Sequence, residues 1–366
     1  MTSTPTRAAE LPPSAPERSR VSAPGPAVRR AVAALSFRNI GAVYVWLVIV
    51  VLFSVWAPDT FPTAVTVKQV LNGNAVAGLV ALSVVPPLAA RVFDLSVAYT
   101  MSLTSVLTAY LMVSAGLGPG TAIALAMTAA LLIGVVNGIV VVALRVDSFI
   151  ATLATGALIQ SLITMVTNDS SITGVQLLAE PFASIAQLDA GGITLPVLYL
   201  LLAAVAIWFL LEHTATGRRL YATGFNADAA RLQGVRTGRL RFLTLVASAL
   251  LSGFAGVVFA SSVGSGSPTA GTPYLLAAYA AAFVGATQLR AGRFNAWGTV
   301  LAVLLLGTGI TGLGLATSAQ WAASLFTGSV LIVALVLTGG RVALPAVLRR
   351  RTGTRQEETT IEEVRR

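Results

Sequence analysis

The side chains that most often carry chemistry are scarce in this chain. Among 366 residues there is no cysteine and a single histidine, His213. Thiol catalysis, disulfides, Cys-ligated zinc and multi-His metal sites are therefore excluded. The only lysine, Lys68, stands in "TVKQV", so there is no G-K-[ST] loop to cradle a nucleotide's phosphates. Gly307, Gly309 and Gly312 spell G-x-G-x-x-G, but inside an apolar run with no strand before it. Small residues that let helices approach are the better reading there, and equally for Gly134 and Gly138. Asp94 would suit a proton relay if it lay deep in an apolar segment. It opens one instead, three residues after Arg91, so helix capping and a local ion pair account for it. His213, next to Glu212 at the edge of another apolar run, reads as interfacial and not catalytic.

These residues are carried on a chain that is 55% hydrophobic and 10% charged. Its charge-free runs exceed the ~20 residues needed to cross a bilayer, which predicts an all-α, polytopic membrane protein. Cutting at charges, Gly/Pro clusters and polar runs gives ten spans, near 40–57, 71–90, 95–115, 121–144, 149–167, 193–211, 242–260, 273–289, 294–313 and 321–338. The uncharged block from Leu95 to Leu144 breaks at "AGLGPG", and that from Phe242 to Leu289 breaks at "SSVGSGSPTAGTP". Residues 1–39, rich in Pro, Ala, Ser and Arg, read as a disordered basic tail without a signal-peptide core. A transmembrane domain over 40–340 follows, then a second charged tail over 341–366.

Charge sets the orientation. An arginine at mid-bilayer costs ~2.5–3.5 kcal/mol, and Arg-rich loops stay in the cytoplasm. With the N-terminus inside, ten spans place every arginine inside: six in the first tail, Arg91, Arg145, six from Arg218 to Arg241, Arg290, Arg293 and seven after Gly340. Lys68 and the acidic loop "TNDSSITGVQLLAEPFASIAQLDAGG" fall outside. An odd count would strand one tail. The arginines flank spans and not an aromatic-studded soluble domain, so the pI near 10.9 reflects topology and not nucleic-acid binding.

Within the spans, Asn72, Asn74, Thr100, Ser102, Asn137, Thr152, Thr155, Gln160 and Thr164 are candidates to line a path for a polar molecule, because a buried hydroxyl or amide must find a partner. Hydroxyls also bond back to their own helix, which makes the larger amides Asn137 and Gln160 the stronger candidates.

The largest internal cytoplasmic loop, about 212–241, carries "DAARLQG" from Asp228 to Gly234. Asn226 can cap a short helix and Asp228 complements its positive dipole end. Ala229 and Ala230 leave a smooth surface, Leu232 can enter a groove, and Gly234 suits the turn after a helix. The alternative is a basic juxtamembrane helix held against anionic lipid. The heptapeptide resembles the E-A-A-x-x-x-G coupling loop of ABC importer permeases, with Asp for Glu. The longer stretch "TGRRLYATGFNADAARLQGV" is similar to that loop in permeases of the ribose, xylose and galactose class.

Three further stretches resemble the same family, in family order. They are "FDLSVAYTMSLTSVLTAYL", through Asp94, Leu95, Ser96 and Val97; "GVVNGIVVVALRVDSFIATLATGALIQSL", through Asn137, Gly138, Arg145, Phe149, Ile150, Ala151, Thr152, Leu153 and Thr155; and "FVGATQLRAGRFNAWGTVLAVLLLGTGI", through Gly285, Thr287, Leu289, Gly292, Gly298 and Thr299. Departures from the pattern include Val92, Phe93 and Ala98 where glycines are usual, Asp147-Ser148 for Pro-Pro, and Leu275 and Ala277 for an acidic pair.

The resemblance implies a permease fold in the bacterial cytoplasmic (inner) membrane with both termini cytoplasmic. It implies a second permease subunit, expected to be identical, a separate cytoplasmic ABC ATPase that hydrolyses ATP, and an external solute-binding protein. The chain itself is expected to bind no cofactor, metal or nucleic acid. The implied cargo is a sugar of pentose or hexose type, with a polyol, nucleoside or other small polar solute as the alternative. An ion-coupled secondary transporter would want ionisable groups near mid-membrane or an inverted repeat, and a membrane enzyme would want paired acids or a nucleophile. Neither set is evident.

Overall fold

The computed structural model describes residues 37–289, 292–317 and 319–338. The expected N-terminal tail through residue 36, Arg290 and the C-terminal tail over 341–366 lie outside the described residues. Ten apolar helical segments stand where the ten spans are expected. They are α1 (Phe37–Trp56), α2 (Ala64–Ser83) continued by α3 (Val85–Ala89), α4 (Val97–Val113), α5 (Pro119–Gly138), α6 (Ser148–Thr167), α8 (Leu195–Trp208), α11 (Thr237–Val263), α12 (Thr272–Ala286), α13 (Ala296–Thr317) and α14 (Gln320–Thr338). The non-spanning helices are α7 (Ser184–Gln187), α9 (Ala215–Phe225) and α10 (Ala227–Leu232). Single π-helical turns extend α5 over Ile139–Ala143 and α8 over Phe209–His213. Six of the ten are long and apolar enough to cross a membrane, and four are shorter apolar helices. The breaks fall at the anticipated Gly-rich stretches: α4 gives way to α5 through Gly116, at φ +67°, and α11 ends on Gly264, at φ +68°.

Helices α4, α5 and α11 pack most closely, with α2, α12 and α13 completing the core. Bilayer lipid supplies no hydrophobic drive between helices, so close van der Waals approach must hold them. The glycines serve this. A Cβ on Gly134 would meet the backbone of Val246 on α11, and one on Gly256 would collide with the Met101 carbonyl and Thr104 Oγ1 of α4. Gly307, Gly309 and Gly312 receive the side chains of Asn74, Phe326 and Phe53. The G-x-G-x-x-G run is thus helix packing.

Two helix starts differ from expectation. α2 begins at Ala64 and not near 71, because Thr63 caps it by accepting from the Thr66 amide at 3.2 Å. Lys68 therefore lies on a helix turn, exposed, where a long side chain can reach the interface. α11 begins at Thr237 and not near 242, so Arg239 and Arg241 are helical. Charges mark where a span leaves the hydrocarbon, not where the helix ends.

The loops gather by charge. At one end, β1 (Ile172–Thr173) pairs with β4 (Ser265–Gly266), and the hairpin β2–β3 (Asp189–Ala190, Ile193–Thr194) is tied to α2. The acidic loop folds there, with Leu177 and Phe182 fully buried and Ser261 Oγ donating to the Phe182 carbonyl at 2.8 Å. Lys68, Asp169, Glu180 and Asp189 belong to this end. At the other end, segments 88–96, 144–148, 214–241 and 292–295 converge, bringing Arg91, Arg145, Arg218, Arg219, Arg231, Arg236, Arg239, Arg241 and Arg293.

Candidate functional site

At the arginine-rich end, α9 and α10 form the expected helical loop. Thr214 caps α9, accepting from the Gly217 amide at 3.1 Å. The hydroxyl of Tyr221 donates to the Phe294 carbonyl at 2.8 Å, and Gly224 lies against the Ala89 carbonyl where a Cβ could not fit. So α9 is clamped onto the ends of α3 and α13. The chain then turns at Asn226, whose Oδ1 accepts from the Asp228 and Ala229 amides at 3.1 and 3.0 Å. This is the anticipated cap, worth about 1 kcal/mol.

Beyond it α10 stands away from the body. Ala230 is buried against the spans, Ala229 is exposed, and Leu232 is 87% exposed. Asp228 lies in the first turn, 3.6 Å from Arg231, with both side chains solvated, so this pair adds little. Gly234 adopts φ +79° with open space around it, a left-handed turn that glycine takes without strain. The result is a short capped helix presenting Leu232, with Phe225 59% exposed at its entry.

Where α3 meets α4 the chain unwinds over Arg91–Ser96. Non-helical backbone at membrane depth survives only when other protein groups satisfy it. Ser148 Oγ accepts from the Phe93 amide at 3.1 Å, Tyr279 Oη from Asp94 at 3.0 Å, and Thr152 Oγ1 from Leu95 at 3.0 Å. Asp94 Oδ1 accepts from the Ser96 amide at 3.1 Å and hydroxyl at 2.6 Å, and Asn137 Nδ2 donates to that hydroxyl at 2.8 Å. Asp94 is expected to cap a helix and pair with Arg91, and does neither. It holds the turn through Ser96, the residue that precedes α4, and no side chain caps that helix. Asp94 is fully buried and Arg91 is exposed, because the left-handed Arg91, at φ +54°, turns the chain between them. Asn137 Oδ1 is buried without a hydrogen-bond partner, and the buried Ser248 hydroxyl neighbours the Asp94 carboxylate.

The departures from the family pattern fit this unwound turn. Ser148 supplies the Phe93 bond, Asp147 caps α6 by accepting from Phe149 at 3.0 Å, and Phe93 stacks on Tyr279 and meets Phe149 edge to face, 6.3 Å from each ring.

The nine pathway candidates divide. Thr100 is fully buried, and Ser102 is buried with its Oγ accepting from the Gly271 amide at 2.9 Å. Asn72 donates to the Gly192 carbonyl and accepts from Thr194, tying α2 to the β2–β3 hairpin. Asn74 donates to the Val70 carbonyl at 2.8 Å and packs on Gly307. Asn137 and Thr152 belong to the buried cluster at the unwound turn. Thr155 bonds back to the Ala151 carbonyl at 3.0 Å. Of the nine, Gln160 and Thr164 line an open groove, which they share with Tyr99, Ala157, Ser161 and Met165 on α4 and α6. Thr164 donates from its wall to Asp169 Oδ1 at 2.7 Å. Tyr99 and Ser161 were missed because each stands alone in an apolar stretch, and the groove exists only where α6 crosses α4. His213 is exposed and packs against the Trp208 and Phe209 rings. Among the described residues no group of three or more His, Cys, Asp or Glu converges to hold a metal.

A bundle of apolar helices with a capped, projecting loop helix at its arginine-rich end defines a multi-pass transport permease. The chain belongs to the family described as "Branched-chain amino acid transport system / permease component", which matches residues 66–335. It is 32% identical over 290 residues to the ribose import permease protein of Bacillus subtilis, covering 79% of this chain and 89% of that one. It is 27% identical over 308 residues to the D-allose transport system permease protein of Escherichia coli, covering 83% and 92%. It is 29% identical over 308 residues to the L-arabinose transport system permease protein of the same species, covering 81% and 89%.

Proposed function

We propose that this chain forms the membrane pathway of a bacterial ABC importer for a monosaccharide. It lies in the inner membrane with both termini in the cytoplasm and pairs with a second, identical copy. A separate ATPase grips α10 from the cytoplasm and hydrolyses the ATP, and an external binding protein delivers the solute at the opposite end. The chain binds no cofactor of its own. The observation that carries this reading is the projecting helix α10, capped by Asn226 and ended by Gly234, with Leu232 offered to a partner. Its place at the arginine-rich end supports a cytoplasmic position.

Mechanically, α9 is fixed to the span ends by Tyr221 and Gly224, so a force applied to α10 reaches α3 and α13 and not only a floppy loop. Closing of the ATPases then biases the bundle between two arrangements, the only way a ligand-driven partner can do work on it. The groove at Gln160, Ser161 and Thr164 offers amide and hydroxyl groups, with Tyr99 at its side and no charged side chain in its lining. That chemistry suits a neutral polyhydroxylated solute better than a zwitterionic amino acid, which would leave two charges unpaired. The names of the three relatives, each a monosaccharide permease, favour the same cargo.

Uptake of labelled ribose, allose and arabinose by the native host, with and without this gene, tests the cargo. Loss of uptake of one sugar on deletion is expected. Undiminished uptake of all three, with loss of a labelled polyol or nucleoside instead, would overturn the sugar assignment.

A further inference from the structure

At the arginine-rich end a cavity of about 270 Å³ opens between α9 and the ends of α3, α12 and α14. Arg91 and Arg293 reach it, no acidic side chain lines it, and among the described residues neither guanidinium has a carboxylate within ion-pair distance. Arg293 lies over the rings of Tyr221 and Phe225, 5.2 and 5.5 Å from their centres. Stacking holds the planar group in place and leaves its N–H edge free, the arrangement in which Arg recognises phosphate. Glu212 is not in the lining, and its Oε1 accepts from the Tyr221 hydroxyl at 3.5 Å. The rest of the lining is apolar, with Leu88, Phe283 and Leu335 among it.

We propose that this cavity binds an anionic phospholipid of the cytoplasmic leaflet, its phosphate held by Arg91 and Arg293 and its glycerol end resting on Leu88, Phe283 and Leu335. Three features converge on a lipid. The cavity sits at the level where three spans end, which is headgroup depth. It joins two cations to an apolar wall, as a phosphate on an acyl-bearing glycerol requires. Its volume is just below the ~300–1,000 Å³ of sites that enclose whole small molecules, which suits a headgroup better than a nucleotide. A lipid seated there would bridge α9 to α3 and α12, joining the base of the docking loop to the bundle.

The test is native mass spectrometry of the purified full chain titrated with phosphatidylglycerol or phosphatidylcholine. Arg91→Gln, Arg293→Gln, the double variant and Arg145→Gln are compared with wild type. At ~1 kcal/mol for each arginine near the surface, phosphatidylglycerol retention falls about fivefold in each single variant and about 25-fold in the double variant. Arg145→Gln, exposed on the same face but outside the cavity, leaves it unchanged, and phosphatidylcholine is retained weakly by all. Arg293→Lys keeps the charge and loses the stacked fork, so it falls between wild type and Arg293→Gln.

Equal phosphatidylglycerol retention by wild type and the double variant would overturn the proposal. So would binding of millimolar inorganic phosphate that displaces the lipid, which would make the site one for a free anion. Loss of a co-purifying ATPase from the double variant with lipid retention intact would assign the arginines to a protein contact instead. Thermal melting of each variant in detergent separates these outcomes from misfolding.

Discussion

The unwound turn around Asp94 and the groove around Gln160 are both polar, both built on α4 and α6, and opposite in construction. At the turn the polar side chains at its centre are buried and most are spoken for. Asp94, Ser96, Asn137 and Thr152 have no exposed surface, and their bonds join α4, α5, α6 and the segment before them. In the groove, Gln160 and Thr164 are partly exposed and Ser161 is exposed, on a helix that packs mainly against α4. A polar group in a membrane protein either holds helices or meets what passes between them. Satisfaction by neighbouring backbone, and not residue type, separates the two.

The comparison can be broken at the turn first, where the largest effect is expected. Asp94→Ala removes the one oxygen that accepts both Ser96 bonds and leaves buried donors unmet, at a cost on the order of 3 kcal/mol. A sharp fall in melting temperature and yield in detergent is the expected outcome, and Asp94→Asn keeps an acceptor and loses less. Melting of Asp94→Ala at the wild-type temperature would show the turn to be incidental. Gly256→Val is next: its side chain must displace the Met101 carbonyl and Thr104, and overpacking of this kind costs about 1–3 kcal/mol. A lowered melting temperature checks it, with Gly314→Ala, in open space, as the unaffected partner. The smallest effect on stability belongs to the groove. Gln160→Ala and Thr164→Val should melt within about 0.5 kcal/mol of wild type, while each lost solute hydrogen bond weakens apparent uptake affinity about tenfold. Unchanged uptake in both variants would remove the groove from the pathway.

Much of this architecture was legible in the sequence because bilayer physics is coarse. Apolar length and arginine placement mark the ten helices without any knowledge of their packing. Local chemistry was legible too: Asn226, Asp228 and Gly234 act on their own neighbours in the chain, so the cap and the turn of α10 follow from spacing alone. The pathway candidates were not separable this way. Asn72 meets Gly192, and Asn137 meets Ser96, contacts that no periodicity records. Asp94 illustrates the same limit at close range, since one left-handed residue, Arg91, turns an expected ion pair into a buried carboxylate. The helix starts at Ala64 and Thr237 were misplaced because charge was read as a helix end when it marks only the membrane edge.

Co-purification shows whether an ATPase grips α10, as proposed. Tagged wild type, Leu232→Asp and Gly234→Arg are isolated from the native host in mild detergent, and the accompanying chains are identified by mass spectrometry. Leu232 is 87% exposed and Gly234 has open space around it, so the bundle itself should survive both changes, as size-exclusion profiles will report. Wild type is expected to bring down a Walker A ATPase, and both variants to lose it. A well-folded wild type without an ATPase, or variants that retain it fully, would rule out docking at α10 and leave it as a basic helix at the lipid surface.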